Sequence, residues 1–331
     1  MDIELSRSLR GAKQNIWQSF LAGTGLEADG NVDETILVWD NDALIATGSR
    51  QGNLLKCIAV DPARQGEGLL AKVLTALRQS AFYDGHRHLF LYTKPINAPL
   101  FSDLLFYPVA QTGDVLLMED KKNGIGDFIT SLTSCLHSGT AGACVMNCDP
   151  FTLGHQYLIE RAAKTCDHLY VFVLSEDKSC FRASDRLEMV RRGTAHLPNV
   201  TVLPTGPYLI SSATFPTYFL KNRDQAECLH CQLDVEIFAR YFAPAFGITR
   251  RYVGTEPLSA MTQQYNEVLK SSLPPGGIEV VEIPRLTMGE TPISASAVRD
   301  AYHEGDWNTV QSLVPTTTYE HLKKQQQEVI P

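Results

Sequence analysis

A threonine, a glycine and a histidine lie together where a predicted strand gives way to a predicted helix. Thr152, Gly154 and His155 follow the apolar run 143–146 and open an amphipathic stretch that extends to about residue 165. The N-terminus of a helix offers unpaired backbone N–H groups and the positive end of the helix dipole, both of which suit a phosphate. Gly154 would let the backbone approach such a ligand, and Thr152 and His155 are spaced to donate hydrogen bonds into the same pocket. The alternative for this segment alone is an ordinary strand–turn–helix with a structural histidine.

A second polar segment, which contains Ser294, Ser296 and Arg299, opens another predicted helix near the end of the chain. Two hydroxyls, the N–H groups of the helix and one guanidinium would there converge on anionic oxygens. The alternative is a serine-rich helix cap followed by a surface arginine. Two such segments in one domain are more specific than either alone, and together they predict a site for phosphate groups.

The half of the chain that contains both segments alternates between strands and helices, which predicts an α/β fold with a parallel sheet. Its predicted strands are 143–146, 169–174, 200–203, 251–253 and 278–283, and its predicted helices include 155–165, 185–196 and 235–241. Ser184 is the predicted N-cap of the helix 185–196. The first polar segment then lies where the first strand ends, which is where α/β sheets bind ligands.

The first half of the chain predicts a smaller set of strands around two helices. The strands are 36–39, 43–48, 54–60, 89–93 and 115–119, and the helices are 69–82 and 100–106. Polar, glycine-rich loops at 121–126 and 137–142 enclose a predicted short helix. We therefore expect an α+β domain over residues 1–122, a linker with a short helix over 123–140, and an α/β domain over 141–331.

Composition argues against several classes of function. The chain has 331 residues, a net charge of −8 and no block of basic residues, so we expect no nucleic-acid partner. No apolar run approaches the roughly 20 residues of a membrane span, and the acidic N-terminus lacks the apolar core of a signal peptide. The eight scattered cysteines are typical of reduced thiols, which predicts a cytoplasmic protein without a membrane partner. Cys228 and Cys231 have the spacing of a metal-binding pair, but no second pair accompanies them, so we predict no metal site on the protein.

The two polar segments resemble the HxGH and ISSTxxR signatures of the nucleotidylyltransferase superfamily, with Thr152 in the place of the first histidine. The resemblance implies a Rossmann-like domain that binds ATP together with Mg²⁺. In that case Thr152 and His155 would serve the α- and β-phosphates. Ser294, Ser296 and Arg299 would serve the β- and γ-phosphates.

Two further segments are similar to parts of the same superfamily. Lys178 lies in a segment that resembles the lysine loop, where it would neutralise charge between the nucleotide and the second substrate. The segment 253–257 resembles the one that lines the adenosine. Asp149 could reach a metal ion or water, but an aspartate before Pro150 is more typical of a turn. The resemblance implies further contacts with ATP from Asn147, Phe151, Gly154, Gly254, Thr255 and Glu256.

The order of motifs along the whole chain resembles that of the citrate lyase ligase family. These motifs are the segments 146–160, 213–219, 253–257, 262–266 and 292–299, which follow an acetyltransferase-like domain. The resemblance implies that acetate and ATP react through an acetyl adenylate and yield AMP and pyrophosphate. The acetyl group would pass to the thiol of the phosphoribosyl dephospho-coenzyme A group on the acyl carrier subunit of citrate lyase.

The first domain resembles the GNAT acetyltransferase fold. Gln65, Gly66 and Gly68 form a turn before a helix that is similar to the RxxGxG loop, whose backbone amides grip the pyrophosphate of coenzyme A. Ala63 stands where that pattern has Arg or Gln, and Glu67 adds a negative charge to the loop. The resemblance implies a pocket that could hold the prosthetic arm of the carrier subunit. The alternative is a tight turn that serves the fold alone.

Two other functions are alternatives on this information. One is an adenylyltransferase that makes a coenzyme precursor, similar to the pantetheine-phosphate adenylyltransferases, which also starts from ATP but transfers AMP to its acceptor. The other is a binding module that senses coenzyme A or a nucleotide without turnover. The intact set of Thr152, His155, Ser296 and Arg299 counts against a sensor, because sensing does not require every group that stabilises the phosphates.

Overall fold

The structure is a computed structural model that describes residues 1–133, 136–177, 179–209, 218, 223–256, 259–289 and 291–329, with the backbone alone at 223–227, 261, 328 and 329. The chain divides into two compact units, Met1–Gly124 with Phe215–Leu229, and Ile125–Thr214 with His230–Pro331. The domain boundaries predicted from the sequence stay predictions, because a compact unit need not be a domain that folds alone.

The first unit is built on one mixed sheet. Its strands are β1 (Asp2–Ser6), β2 (Glu34–Asp40), β3 (Ala43–Gln51), β4 (Leu54–Val60), β5 (Phe90–Thr93), β6 (Tyr107–Thr112) and β7 (Val115–Glu119), and its helices include α1 (Gly11–Gly23), α2 (Leu69–Tyr83) and α3 (Ala98–Ser102). The strands lie in the order β1-β2-β3-β4-β5-β7-β6. Only β4 and β5 pair in parallel, and the other neighbours are antiparallel. This arrangement confirms the predicted GNAT-like α+β class.

Helix α2 packs on the sheet because its apolar residues recur at helical spacing. Leu69, Val73, Leu77 and Ala81 are all buried. Gly48 in β3 allows the helix to come close, since a Cβ atom at that position would lie 2.5 Å from Cγ1 of Val73. The packing holds the start of α2, and with it the glycine turn that precedes the helix, against the sheet.

The second unit is built on a parallel sheet. Its strands are β8 (Ala141–Met146), β9 (His168–Val173), β10 (Val200–Pro204), β11 (Ile248–Gly254) and β12 (Glu279–Ile283). They lie in the order β10-β9-β8-β11-β12, and every neighbouring pair is parallel. The chain builds β9 and β10 on one side of β8 and then β11 and β12 on the other, so a crevice forms at the carboxyl ends of β8 and β11. This topology confirms the predicted Rossmann-like sheet.

Helices connect and flank these strands. They are α4 (Gly124–Leu132), α5 (Leu153–Ala163), α6 (Ala183–Thr194), α7 (Arg223–Ile237), α8 (Ala243–Ala245), α9 (Ala260–Ser272), α10 (Ala295–Glu304), α11 (Trp307–Leu313) and α12 (Thr316–Val329). A π-helical turn, Phe238–Phe242, joins α7 to α8. A short ribbon of β13 (Thr287–Met288) and β14 (Thr291–Pro292) precedes α10. No helix in the described ranges is both long and apolar enough to cross a membrane.

Two local predictions are wrong. The N-cap position of α6 is Arg182, and Ser184 lies inside the first turn. Asp177 explains the difference. Its carboxylate accepts a hydrogen bond from the backbone N–H of Ala183 at 2.7 Å, so the cap comes from a residue that precedes the helix in the chain rather than from Ser184. The predicted helix 100–106 is displaced, since α3 ends earlier and Leu105 has a φ of 62°, which a continuing helix cannot contain.

A buried ion pair links β2 and β3 in the first unit. Nε of Arg50 lies 2.6 Å from Oε1 of Glu34, and both side chains are only 1% exposed. Arg50 also donates to the backbone oxygen of Gly52 and the hydroxyl of Ser80, and it pairs with Asp84. Removal of one member of such a pair leaves the other charge buried without its partner.

We expect Arg50→Ala to lower the free energy of unfolding by about 3–5 kcal/mol, because Glu34 would lose its buried counter-charge. Arg7→Ala is the matched control, since Arg7 contacts the same Asp84 from the surface and its side chain is 75% exposed. The control should change stability by less than about 1 kcal/mol. Urea unfolding of both variants measures the difference, and equally small effects would contradict a structural role for the buried pair.

Candidate active site

The first polar segment forms a reciprocal cap at the start of α5. Thr152 occupies the N-cap, and its hydroxyl accepts a hydrogen bond from the backbone N–H of His155 at 3.3 Å. In return, Nδ1 of His155 accepts a hydrogen bond from the backbone N–H of Thr152 at 3.1 Å. Such a pair satisfies two N–H groups that the helix itself cannot bond. Thr152 is 1% exposed and acts here as a cap, and its role as a donor to phosphate stays a prediction.

These contacts also determine the protonation of His155. A backbone N–H can only donate, so Nδ1 carries no proton and Nε2 carries the proton of the neutral ring. Burial, assisted by the positive charge of Arg285, lowers the pKa of His155 to about 4. The ring also stacks on Phe151, with 6.0 Å between the ring centroids. His155 is therefore a neutral hydrogen-bond donor over the whole neutral pH range.

The second polar segment lies directly against the first. The backbone oxygen of Ile293 is 3.4 Å from the position that a Cβ atom on Gly154 would occupy. One residue later, Ser294 caps α10 by accepting a hydrogen bond from the backbone N–H of Ala297 at 3.1 Å. The N-terminal ends of α5 and α10 therefore meet at Gly154 and Ile293.

Arg299 extends from α10 to the loop that follows β8. Its Nη1 donates to the backbone oxygen of Asp149 at 2.5 Å, and its Nη2 donates to the hydroxyl of Ser296 at 3.0 Å. The Asp149 carboxylate is more distant, at 3.6 Å, and the Arg299 side chain remains 30% exposed. The guanidinium is thus held in place mainly by uncharged oxygens and is open to an anionic ligand.

Backbone amides occupy the carboxylate of Asp149. Its Oδ1 accepts from the N–H of Phe181 at 2.9 Å, and its Oδ2 accepts from the N–H of Cys180 at 3.2 Å. Asp149 therefore joins the loop after β8 to the loop that precedes α6. These contacts favour a structural role over direct contact with a metal ion or water. Lys178, the predicted lysine of the second loop, lies outside the described residues.

Arg186 holds the same two loops from inside the protein. Its side chain is fully buried, and Nη1 donates to both the backbone oxygen of Asn147 at 2.8 Å and its side-chain oxygen at 2.6 Å. Nε donates to the backbone oxygen of Phe181 at 3.1 Å, and Nη2 donates to that of Glu176. Burial lowers the pKa of Arg186 below its ordinary value. Arg186 therefore fixes the orientation of Asn147, one of the predicted ATP-binding residues.

The predicted adenosine segment lies at the end of the neighbouring strand. Gly254 is the last residue of β11, and Thr255 and Glu256 follow it. The hydroxyl of Thr255 accepts from the backbone N–H of Arg285 at 3.0 Å, and Glu256 pairs with the Arg285 guanidinium at 2.6 Å. Thr255 and Glu256 also line a cavity of about 290 Å³ beside α9. Arg285 links this segment electrostatically to His155, whose pKa it helps to lower.

In the first unit, the glycine turn before α2 lines a cavity of about 700 Å³, to which Gln65, Gly66 and Gly68 all contribute. Gly66 and Gly68 have φ angles of 88° and 73°, and no atom lies within 4 Å of the position of a Cβ atom at either residue. Arg64 contacts Glu67 at 2.7 Å and lowers the pKa of that carboxyl. The negative charge noted in the sequence is thus balanced within the turn.

Sequence reasoning missed three features of the site. Arg186 follows the segment that resembles the lysine loop, but no pattern in the sequence shows that its side chain is buried between the two loops. Arg285 gave no signal, because its electrostatic effect on His155 depends on how the loop after β12 folds. Cys180 and His303 also approach each other, with 3.6 Å between the sulfur and Nε2, although they are far apart in the sequence.

Comparisons with known proteins find similar sequences that cover most of the chain. Residues 141–322 match the family described as the citrate lyase ligase C-terminal domain. The chain is 43% identical to the citrate (pro-3S)-lyase ligase of Klebsiella pneumoniae, over 92% of this chain and 90% of that protein. It is 40% identical to the same enzyme of Escherichia coli (strain K12), over 92% of this chain and 88% of that one. Among solved structures, Escherichia coli ElaA is 14% identical with a TM-score of 0.34, and the match covers 37% of this chain and 100% of that chain.

The reciprocal cap yields a prediction for the titration of His155. We expect its ring to stay neutral, with the proton on Nε2, down to about pH 5, because burial lowers its pKa from 6.5 to about 4. Nitrogen-resolved NMR of the imidazole ring measures both the tautomer and the midpoint, and a His155→Gln sample assigns the signal. A midpoint near 6.5, or a proton on Nδ1 at neutral pH, would contradict the geometry.

Proposed function

The chain belongs to the citrate (pro-3S)-lyase ligase family, and from that premise we propose that it activates citrate lyase by acetylating it. The acetyl donor is acetyl adenylate, which forms from acetate and ATP with release of pyrophosphate. The acceptor is the thiol of phosphoribosyl dephospho-coenzyme A on the acyl carrier subunit. The observation that carries the proposal is the contact between Gly154 and Ile293, because it places two helix N-termini and Arg299 at one site.

In the first step, a carboxylate oxygen of acetate attacks the α-phosphorus of ATP. A new oxygen–phosphorus bond forms, the bond from the α-phosphorus to the bridging oxygen breaks, and pyrophosphate leaves with the electron pair. Acetate needs this activation because a free carboxylate is a poor acyl donor. Negative charge builds on the phosphate oxygens, so the task of the protein is to position the reactants and stabilise that charge.

His155 suits the non-bridging oxygens of the α-phosphate. Its Nε2 donates without a change of protonation state, because a pKa of about 4 keeps the ring neutral throughout the neutral range. Thr152 fixes the orientation of that ring. Arg299, held by Ser296, and the N–H groups at the start of α10 suit the β- and γ-phosphates.

The other predicted residues have supporting roles in this proposal. Lys178 neutralises charge between the nucleotide and acetate. Asn147, Gly154 and Ser294 surround the phosphates, whereas Gly254, Thr255 and Glu256 face the adenosine. The side chain of Phe151, which the resemblance placed at ATP, is instead fully buried and stacks on His155, so we assign it the role of supporting that ring. In the described ranges, no group of three His, Cys, Asp or Glu residues is placed to hold a metal ion. Mg²⁺ bound together with ATP would share the negative charge of the phosphates.

In the second step, the thiol of the prosthetic arm attacks the acetyl carbon. A carbon–sulfur bond forms, the bond from the acetyl carbon to the adenylate oxygen breaks, AMP leaves, and the thiol proton passes to solvent. The cavity of about 700 Å³ in the first unit has the size of a small-molecule site, and we propose that it binds the prosthetic arm before the thiol meets the adenylate. The cysteines in the described part of the chain are all free thiols, which supports a reducing compartment such as the cytoplasm.

The alternatives have less support. An adenylyltransferase for a coenzyme precursor would share the phosphate site, but the two relatives matched over 92% of this chain carry the name of the ligase. A sensor without turnover does not account for a neutral, oriented His155 in the same site as a partly exposed guanidinium. The adenylyltransferase alternative also leaves the cavity of the first unit without a role.

The adenylate mechanism predicts the fate of the carboxylate oxygens of acetate. With acetate labelled with oxygen-18 and the thiol form of citrate lyase as acceptor, one labelled oxygen per turnover should appear in AMP, because the attacking oxygen stays on the phosphorus. Mass spectrometry of AMP measures the label. A parallel reaction with unlabelled acetate in labelled water should leave AMP unlabelled. Formation of ADP and labelled inorganic phosphate would contradict the proposal.

A further inference from the structure

Strands β4 and β5 are paired over only a short stretch. Leu54 pairs with Phe90 and Leu55 pairs with Leu91, and the register between the two strands ends there. Parallel strands that stop pairing expose backbone N–H and C=O groups along the gap between them, and such groups need other partners when they are buried.

A bulge in β4 alters this gap. The register of β4 with β3 passes from Lys56 opposite Ser49 to Ala59 opposite Thr47, so two residues of β4 lie opposite one residue of β3. Cys57 is one of these two and has a φ of 50°, which is uncommon for a residue other than glycine. Bulges of this kind redirect backbone groups and are frequent next to binding sites.

The side chain of Tyr218 bridges the gap. Its hydroxyl donates to the backbone oxygen of Tyr92 in β5 at 3.4 Å, and the same phenol oxygen interacts with the backbone N–H of Cys57 in β4. Its own backbone oxygen accepts from the N–H of Glu27 at 2.8 Å. Tyr218 is 8% exposed, and burial raises the pKa of its phenol above the ordinary value, so the hydroxyl stays neutral and both donates and accepts.

Tyr218 lines the same cavity of about 700 Å³ as the glycine turn that contains Gly66 and Gly68. The two features differ in chemistry. The turn presents open backbone at the start of a helix, which suits phosphates. The tyrosine lies between the separated strands, with strand residues such as Ile58 and Val60 nearby in the lining. A long ligand with its phosphates at the turn would direct its other end towards Tyr218.

We propose that Tyr218 is a specificity-determining residue of this cavity, which admits an arm that ends in a free thiol and excludes the same arm once it is acetylated. This inference rests on the proposed function, which places the prosthetic arm in the cavity. An acetyl group adds a methyl and a carbonyl oxygen that requires a donor, and the amide of Cys57 is already used by Tyr218. A thiol is smaller and forms only weak hydrogen bonds, so it loses little binding free energy when it has no hydrogen-bond partner. The acetylated carrier would therefore be released, and acetyl-coenzyme A would not act as a donor from this cavity.

The test compares the binding of dephospho-coenzyme A and S-acetyl dephospho-coenzyme A to the full chain by calorimetry. The wild type should bind the acetylated form at least about tenfold more weakly, the scale on which a pocket rejects a group that does not fit. In Tyr218→Ala the two affinities should come within about threefold of each other, because the acetylated form should bind more tightly than it does to the wild type. Tyr83→Ala is the matched control, since Tyr83 is 76% exposed, and it should retain the wild-type ratio.

Each outcome separates this inference from the function on which it rests. Equal binding of both forms by the wild type, or an unchanged ratio in Tyr218→Ala, overturns the role of Tyr218 and leaves the arm in the cavity. Failure of the wild type to bind either form overturns the placement of the arm and the inference with it. If Tyr218→Ala does not fold, Tyr218→Phe replaces it, because it frees the Cys57 amide. An unchanged ratio in that variant overturns the proposal.

Discussion

The proposed phosphate site depends on one buried cation, Arg186. Arg186 has no exposed surface, and its guanidinium donates to oxygens of Asn147, Glu176 and Phe181, so three points in two loops are held at fixed distances. Of these acceptors, the buried backbone oxygen of Phe181 would cost about 1–3 kcal/mol if it were left without a donor. Asp149 reinforces the arrangement by accepting hydrogen bonds from two backbone N–H groups of the second loop. The loops at the carboxyl edge of the sheet therefore act as one preorganised frame.

Within this frame, Arg299 remains accessible to a ligand, whereas Arg285 is already paired with another side chain. Arg299 keeps exposed surface because mainly uncharged oxygens hold it, whereas Arg285 is paired with Glu256 and acts on His155 at a distance. His155 itself is kept neutral by burial and by the backbone amide that occupies Nδ1. We interpret the site as a set of fixed dipoles together with the partly exposed guanidinium of Arg299. Such a site suits an anion whose negative charge rises during the reaction.

Most strands and the starts of α5 and α10 could be located from the sequence, because apolar periodicity and helix-start residues are local signals; that these two helix starts bind phosphate stays a proposal. The neighbouring residues in the sequence were enough to identify Thr152, Gly154 and His155 as a helix start, and the same is true of the cap at Ser294. The rest depended on contacts between distant residues. The cap of α6 comes from Asp177 rather than Ser184, and α1 was missed because few of its residues are buried, among them Trp17 and Leu21. The insertion of Tyr218 between β4 and β5 had no local signal either, since it lies in a segment far along the chain from both strands.

The central claim is that the chain itself forms acetyl adenylate at His155, before any acceptor thiol is present. Exchange of labelled pyrophosphate into ATP, measured with the chain and acetate but without citrate lyase, tests this most directly. The account predicts exchange that requires acetate and that falls by about 10²–10³ in His155→Ala, the usual loss for one preorganised donor. His196→Ala, which changes a histidine that is 50% exposed, should exchange at the wild-type rate. Absence of acetate-dependent exchange from a preparation that acetylates citrate lyase, or normal exchange by His155→Ala, would contradict the account.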